Sequence, residues 1–350
     1  VRRAPQRVGA RGTVSKLRAG NGDPTSTPPA PMLSQTASPV AAAEQVSPAS
    51  PERPLPAVVI NPSHVDDLPG LHTKIAKVCE ELGWSPPLWL TTTVEDPGGG
   101  QTRIALDASA DVVLVCGGDG TVRHVARVLA GSGTPLGLLP TGTANLLARN
   151  LAVVLNNPVK ATRIALTGTN RAIDVGRVLI DDRDEEEVFL VMAGMGFDAA
   201  IMAGAPHQLK ARLGPLAYFV AGARALMAPR APITLAVDGR SELPRQVRTV
   251  VVGNCGKLLA GLRLLPAAKV DDGLLDVVAI GPKTVRGWLA VTARVLGRRR
   301  HGHRIVQHWQ GRIIILSAET PQQAQLDGDP VGEVLAMRMR VDPGVLLVRV

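Results

Sequence analysis

The stretch that decides the fold is VVLVCGGDGTVRHVARVLAG, residues 112–131. It opens with a run of apolar residues that predicts a buried strand at 111–116. Apolar residues then recur at helical spacing at Val122, Val125 and Leu129, so we predict a helix that begins at Thr121. Three glycines around one carboxylate, Asp119, separate the two elements. A buried strand that leads through a glycine loop into a helix is typical of an α/β protein.

Predicted strands and helices alternate on both sides of this junction. This order predicts a parallel sheet covered by helices on both faces, with ligands bound at the carboxyl ends of its strands. The strands are predicted at 57–61, 88–92, 111–116 and 136–139, and helical spacing runs from Leu68 to Leu82, at 104–108 and from Ala144 to Asn150.

The second half of the chain has a different pattern, with short strand-like runs separated by turns. It predicts a largely antiparallel, β-sandwich-like domain. The strands are predicted at 175–180, 188–193, 233–237, 248–252, 275–280, 312–316 and 345–350, interrupted by helical stretches at 207–227 and 284–300. The predicted organisation is a disordered Pro/Ala-rich basic tail at 1–56, an α/β domain at 57–173 and a β-rich domain at 174–350.

Composition limits the classes of partner. The 350 residues carry 39 Lys/Arg and 30 Asp/Glu, a net charge of +9, which predicts an anionic partner. Aromatic residues make up only 2%, too few for the stacking platforms of single-strand binders, so no nucleic acid is expected. The three cysteines are widely spaced, which argues against a zinc site or disulfides and for a cytoplasmic setting. No membrane span or signal peptide is predicted.

The glycine loop has the composition of a phosphate site. Glycines let backbone N–H groups approach an anion, and the positive end of the following helix faces the same point. Asp119 would repel a phosphate unless a cation such as Mg²⁺ bridges the two. The next predicted strand ends similarly at 139–145, where Thr143 can offer its hydroxyl and amide, and Asn145 either contacts the ligand or caps the helix. The alternative is an ordinary tight turn.

These motifs resemble those of the diacylglycerol kinase catalytic-domain family, in its bacterial lipid kinase branch. GGDGT at 117–121 and LPTGTANLLARNL at 139–151 carry the resemblance. GGDGT alone is shared with NAD kinases and phosphofructokinases, but the ordered set over 57–350 is more specific. The further matches are Asn61-Pro62-Ser63, Thr92-Thr93, GMGFD at 194–198, KVDDGLLDV at 269–277 and LDGD at 326–329.

The resemblance implies that an α/β domain holds ATP, that Mg²⁺ is required, and that the β-rich domain helps to hold a lipid. It identifies Asp329 as the general base, Asp119 as a second catalytic residue, and Asp272 as a metal ligand together with the carbonyls of Lys269 and Leu274. It assigns to the nucleotide site Asn61, Thr92, Thr93, Gly117, Gly118, Asp119, Gly120, Thr121, Val122, Arg123, Thr143 and Asn145. In related sequences Asp329 is usually Glu, and His64 and His124 replace Gly and Glu.

The implied activity is ATP- and Mg²⁺-dependent phosphoryl transfer to a lipid hydroxyl, with conversion of diacylglycerol to phosphatidic acid as the first expectation. A sphingoid base, ceramide or another membrane alcohol would use the same motifs. An NAD kinase would share 117–121, but the Asn-Glu pair expected of it does not occur here. The third alternative is a lipid-binding protein without turnover.

A lipid substrate implies work at a membrane surface. Residues 283–304 carry seven Lys/Arg, two His and no acid, with an apolar side that includes Trp288 and Leu289. A basic amphipathic helix of this kind can lie on an anionic bilayer. We therefore expect peripheral contact with the inner face of the membrane, and the sequence leaves homodimer formation open.

Overall fold

The computed structural model describes residues 53–196, 230–241, 245–257, 264–281 and 306–350. Several predictions fall outside these ranges: nearly all of the 1–56 tail, the helical stretches at 207–227 and 284–300, and the basic segment at 283–304. The last two residues of GMGFD, Phe197 and Asp198, lie outside them as well.

The first part is an α/β unit, as predicted. Its strands form a parallel sheet in the order β4-β3-β1-β2. All residues of β1 and β3 are buried, because helices cover both faces of the sheet. The elements are β1 Pro56–Ile60, α1 Leu68–Glu81, β2 Leu88–Thr91, α2 Gly99–Asp107, β3 Val112–Gly117, α3 Asp119–Leu129, β4 Leu136–Pro140, α4 Leu146–Asn150 and α5 Pro158–Thr167.

The second part is antiparallel, again as predicted, and has its own apolar core around Phe189, Met195, Leu316 and Leu326. Its last strand also pairs with β4 in parallel, at Val348 and Leu136, so both parts share one sheet network. The strands are β5 Asn170–Ile180, β6 Glu187–Phe189, β7 Met192–Gly196, β8 Ala231–Val237, β9 Arg240–Ser241, β10 Arg245–Val247, β11 Thr249–Gly253, β12 Leu275–Ile280, β13 Val306–Gly311, β14 Ile313–Leu326 and β15 Asp329–Arg349.

Three helices begin at residues that differ from the predictions. Helix α2 begins at Gly99, five residues before the predicted start at 104. Helix α3 begins at Asp119 rather than Thr121, so the first carboxylate of the glycine loop belongs to its first turn. Helix α4 begins at Leu146, because Asn145 has a positive φ of 48° and cannot continue a right-handed helix.

The strand predicted at 188–193 is two strands, β6 and β7. The amides between them, from Leu190 to Met192, donate to the carboxylate of Asp327 instead of to a neighbouring strand. The strand predicted at 345–350 is the end of the much longer β15. Helix α5 was missed, although Asn157 caps its first turn by accepting from the Lys160 amide, and Pro158 follows at the first position.

Within the described ranges, no helix is both long enough and apolar enough to cross a bilayer.

Candidate active site

Helix α3 starts directly behind the glycine loop with an open N-terminus. Gly118 is its N-cap residue, in an extended conformation with φ −90° and ψ −177°, and no side chain of the described chain caps it. The first hydrogen bond inward is from the Val122 amide to the Gly118 carbonyl, at 3.1 Å. The amides before Val122 therefore face the helix entrance, which suits an anionic group.

Three glycines of the two loops each make room for a close neighbour. A Cβ atom at Gly117 would lie 2.8 Å from the Thr121 side chain, and one at Gly120 would lie 2.7 Å from Asp329 Oδ2. A Cβ atom at Gly142, in the second loop, would lie 2.5 Å from the Gly118 Cα. The two loops thus touch backbone to backbone, and close approach explains why these positions are glycine.

Asp119 ties the first loop to the second. Its Oδ1 accepts the amides of Leu146 at 2.7 Å and Leu147 at 3.4 Å, at the start of α4. The pKa of Asp119 is raised to about 6, chiefly by burial and also by the charges of Asp327 and Asp329, while the two amides act to lower it. This tether is a role that the sequence analysis, which pointed Asp119 toward a metal and phosphate, did not foresee.

Asp329 lies over the start of α3. Arg123 Nη2 donates to Asp329 Oδ2 at 3.1 Å, and Arg123 Nη1 lies 3.7 Å from Glu187 Oε2. The Arg123 side chain is only 7% exposed, whereas that of Asp329 is 49% exposed. The structure therefore brings a residue predicted for the nucleotide into direct contact with the predicted general base, which stays accessible to a second substrate.

Asp327 was assigned no role by the sequence analysis, yet its carboxylate accepts three backbone hydrogen bonds. It is 5% exposed and accepts the amides of Leu190 and Val191 at 2.8 Å and of Met192 at 2.9 Å. Burial raises its pKa, and these amides oppose the rise. The available sequence signal was its position two residues before Asp329, next to a glycine. In the structure Asp327 and Gly328 form a turn, with φ values of 50° and 94°.

Asn61 connects the end of β1 with α3. Its Oδ1 accepts the amide and hydroxyl of Ser63 at 3.1 and 2.7 Å, and its Nδ2 donates to Thr121 Oγ1 at 3.3 Å. After β2, Thr92 is buried and Thr93 is exposed, with its Oγ1 accepting the Asp96 amide. These residues follow the carboxyl ends of neighbouring parallel strands, where the sequence analysis placed them.

The second loop presents one predicted residue and buries another. Thr143 is exposed, whereas Asn145 is 7% exposed and donates to the Gly142 carbonyl at 2.7 Å. Asn145 therefore braces the loop. Val122 is also buried, in the core beneath the sheet, which makes it a packing residue. His64 Nε2 would lie 3.5 Å from a Cβ at Gly118, so this histidine lies beside the first loop.

The predicted metal residues form a separate cluster. Asp272 Oδ1 accepts the Leu274 amide at 3.2 Å, and partial burial together with Asp174 and Asp271 raises the pKa of Asp272, which Lys269 lowers. The carboxylates that act on Asp119 are instead Asp327 and Asp329. Across the described ranges no three His, Cys, Asp or Glu side chains group to hold a metal. A magnesium ion would depend on Asp272, carbonyls, water and substrate oxygens, a donor set that suits it.

Two family models match the chain. The diacylglycerol kinase catalytic domain matches residues 57–178, and the YegS C-terminal NAD kinase beta sandwich-like domain matches residues 191–350. A curated relative from Pseudomonas aeruginosa, named "Probable lipid kinase YegS-like", is 33% identical over 251 residues, which cover 70% of this chain and 78% of the relative. The chain belongs to the diacylglycerol kinase family.

Other members of the diacylglycerol kinase family are similar over different lengths. The Mycobacterium tuberculosis protein named diacylglycerol kinase is 35% identical over 174 residues, 49% of this chain and 56% of the relative, so the match spans about half of that protein. The diacylglycerol kinase of Bacillus subtilis is 24% identical over 276 residues, 78% of this chain and 88% of the relative. A crystal structure of a diacylglycerol kinase from Bacillus anthracis superposes with a TM-score of 0.66 at 21% identity, covering 86% of this chain and 98% of that one, which shows the shared fold.

Proposed function

We propose that this protein is a lipid kinase that transfers the γ-phosphate of ATP to the hydroxyl of a membrane lipid, with diacylglycerol as acceptor and phosphatidic acid as product. One observation carries the proposal: Asp329 lies against Gly120 and Arg123, at the open N-terminus of α3. A carboxylate beside a phosphate-binding loop is the arrangement that phosphoryl transfer to an alcohol requires.

The two glycine loops supply the nucleotide side of the site. The open amides of α3 and the exposed Thr143 on the adjoining loop are donors for phosphate oxygens. Asp119 holds the two loops in register through the amides of Leu146 and Leu147. Positioning is the main task of a protein in phosphoryl transfer, so a rigid pair of loops serves it directly.

Asp329 supplies the acceptor side. Its side chain is half exposed and can take the proton of an incoming hydroxyl, while Arg123 fixes the orientation of the carboxylate by donating to Oδ2. Asp327 fixes the turn that carries Asp329 through three hydrogen bonds, two of them buried and one partly buried. The base is thus attached to a hairpin whose position is set by the protein core.

Magnesium fits this proposal through its preferred ligands. When bound with ATP, Mg²⁺ neutralises charge on the transferring phosphate. The predicted metal ligands lie in a cluster apart from Asp119 and Asp329. The candidate protein ligands are Asp272 and the carbonyls of Lys269 and Leu274. Burial chiefly raises the pKa of Asp272, and the charges of Asp174 and Asp271 add to the rise; a bound cation would relieve the repulsion among these carboxylates.

The relatives support a lipid acceptor. Proteins named diacylglycerol kinase are among them, which supports diacylglycerol over a sphingoid base, ceramide or another membrane alcohol. A lipid acceptor requires access to a bilayer, so we propose that the protein acts from the cytoplasm as a peripheral partner of the membrane. A homodimer is compatible with this arrangement, and nucleic acid has no part in it.

The test is transfer of labelled phosphate from ATP, with Mg²⁺, to lipids in mixed micelles. Diacylglycerol, sphingosine, ceramide, a polyprenol and NAD run in parallel, with Asp329→Asn as the test variant and Asp66→Asn, an exposed carboxylate on another loop, as its matched control. We expect labelled phosphatidic acid with wild type and Asp66→Asn. With Asp329→Asn we expect the rate of transfer to fall on the order of 10²–10⁴-fold. Label on NAD, or no lipid product, would refute the proposal.

A further inference from the structure

A second concave site lies at the far end of α4 from the glycine loops. It is a cavity of about 290 Å³, formed by the end of α4, by Arg171 of β5 and by the described parts of the segment that connects β11 to β12. None of the residues predicted for the nucleotide lines it. Its size lies just below the roughly 300–1,000 Å³ typical of small-molecule pockets. It has room for a compact ligand rather than for a second nucleotide.

One wall of this cavity is held by a pair of reciprocal hydrogen bonds. Asn150, at the end of α4, donates from Nδ2 to the Lys257 carbonyl at 2.9 Å and accepts the Lys257 amide on Oδ1 at 3.0 Å. Nearby, the fully buried Asn254 donates to the Asp174 and Leu190 carbonyls at 2.8 and 3.2 Å. The backbone that carries Lys257 is therefore fixed, so little ordering is needed before a ligand binds.

The charged lining is cationic. Among the described lining residues, Arg171, Lys257 and Lys269 outnumber one carboxylate, Asp271, which gives a net charge of +2. Arg171 is already engaged, because its Nη2 and Nε donate to Asp271 Oδ2 at 2.7 and 3.2 Å. Neither lysine forms an ion pair with an acid of the described ranges. Lys257 and Lys269 thus add positive charge to the described lining beyond the Arg171–Asp271 pair, and Lys269 also acts on the neighbouring Asp272.

We propose that this cavity binds a small phosphomonoester, such as a glycerol phosphate headgroup. A phosphomonoester carries a charge of about −1.5 to −2 at neutral pH, which matches the net charge of the lining. Lysine ammonium groups pair with phosphate as point charges and form strong, charge-assisted hydrogen bonds with its oxygens. The phosphate can come from a lipid headgroup at the bilayer or from a soluble ester. Of the residues proposed for transfer, Lys269 alone, through its backbone carbonyl, also appears among the described lining residues.

The test uses the full chain and variants that alter one lysine side chain. Lys257→Gln removes the ammonium group but keeps the backbone groups that bond to Asn150. Lys77→Gln, at an exposed position of α1, is the matched control because it makes the same change of charge elsewhere. Binding of glycerol 3-phosphate, with glycerol as the neutral reference, is measured by calorimetry at constant ionic strength. Saturating ADP is present, so that binding of the phosphate group at the glycine loops does not contribute to the measured signal. Flotation with phosphatidylcholine vesicles, with and without phosphatidic acid, tests the lipid source.

We expect wild type and Lys77→Gln to bind glycerol 3-phosphate equally, and Lys257→Gln to bind it at least about 10-fold more weakly. The same loss with phosphatidic acid vesicles identifies a bilayer headgroup as a ligand; a loss confined to the soluble ester identifies the soluble source. Equal affinity of Lys257→Gln and wild type in both arms, or no binding by wild type, overturns the proposal. The readout is binding alone, so it holds whether or not the chain transfers phosphate.

Discussion

Arg123 and Asp329 are separated by 206 positions in the sequence, yet Arg123 Nη2 lies 3.1 Å from Asp329 Oδ2. The arginine is almost fully buried and the aspartate is half exposed. The contact joins the first turn of α3 to the first residue of β15. The guanidinium therefore sets the direction of a carboxylate that stands at the open side of the candidate site.

Arg123→Lys should lower kcat more than it raises KM for ATP. A lysine cannot reach Asp329 and Glu187 together with the fixed fork of an arginine, so the Asp329 carboxylate loses its orientation. We expect kcat to fall by about 10- to 100-fold and KM for ATP to change less than about threefold. Steady-state kinetics with varied ATP measures both. If KM rose and kcat did not change, Arg123 would belong to the nucleotide site, as the sequence analysis predicted.

Gly142→Ala should displace the second loop. The added methyl group would lie 2.5 Å from the Gly118 Cα, an unyielding backbone contact. We expect a loss of about 1–3 kcal/mol in the free energy of unfolding, with weaker ATP binding. Gly99→Ala is the control, because its Cβ would meet nothing closer than 3.8 Å on a helix, where alanine is favoured. Denaturant titration and nucleotide affinity distinguish the two, and unchanged ATP binding by Gly142→Ala would show that the loop does not contact the nucleotide.

Asp327→Asn should destabilise the protein although the two side chains have nearly the same size and shape. The carboxylate accepts three amides, and an asparagine turns one acceptor into a donor that faces a buried N–H group. Leaving such a group unpaired costs about 1–3 kcal/mol. The free energy of unfolding measured by denaturant titration should fall by this amount, whereas Asp66→Asn should leave it unchanged. Equal stability of the two variants would mean that Asp327 is not a structural anchor.

Asp119 should make the stability of the protein depend on pH. Its pKa is raised to about 6 from an ordinary value of 3.8, so the folded state binds an extra proton between these values and stability falls as pH rises from 4 to 6. Asp119→Asn keeps an oxygen for the Leu146 amide but does not titrate. Relative to this variant, wild type should lose on the order of 2–3 kcal/mol between pH 4 and 7. Unfolding titrations at several pH values measure the difference, and parallel pH profiles would assign the shift to another group, such as Asp276, whose pKa burial also raises to about 6.

The sequence predicted the parts of this protein in which spacing and local geometry decide the structure. The apolar runs of β1 and β3 and the helical spacing of α1 identified the α/β unit. A strand buried on both faces is a continuous apolar run, whereas a helix buried on one face has apolar residues every three or four positions. The boundaries of the two predicted domains at 173 and 174, and the catalytic, nucleotide and metal roles of individual residues, stay predictions.

Other features depend on contacts that no local pattern records. The break between β6 and β7 exists because Asp327, 135–137 residues further along the chain, takes up the amides between them. Likewise, Gly142 fits the pattern of a phosphate loop, but its structural reason is that a Cβ there would lie 2.5 Å from the Gly118 Cα, on the loop that follows the neighbouring strand. Tertiary contacts of this length override local preference, which is why the sequence alone could not show them.

The long final strand also has a consequence for the order in which the chain folds. Strand β15 pairs with β5 and β14 along much of its length and meets β4 at Val348 and Leu136. During synthesis the first four strands leave the ribosome well before this partner exists, so the β4 edge of their sheet stays open in the meantime. An uncovered strand edge can pair with another chain. Nascent copies are therefore most exposed to aggregation in the interval between the appearance of β4 and that of β15, and pairing over such a distance slows the closing step.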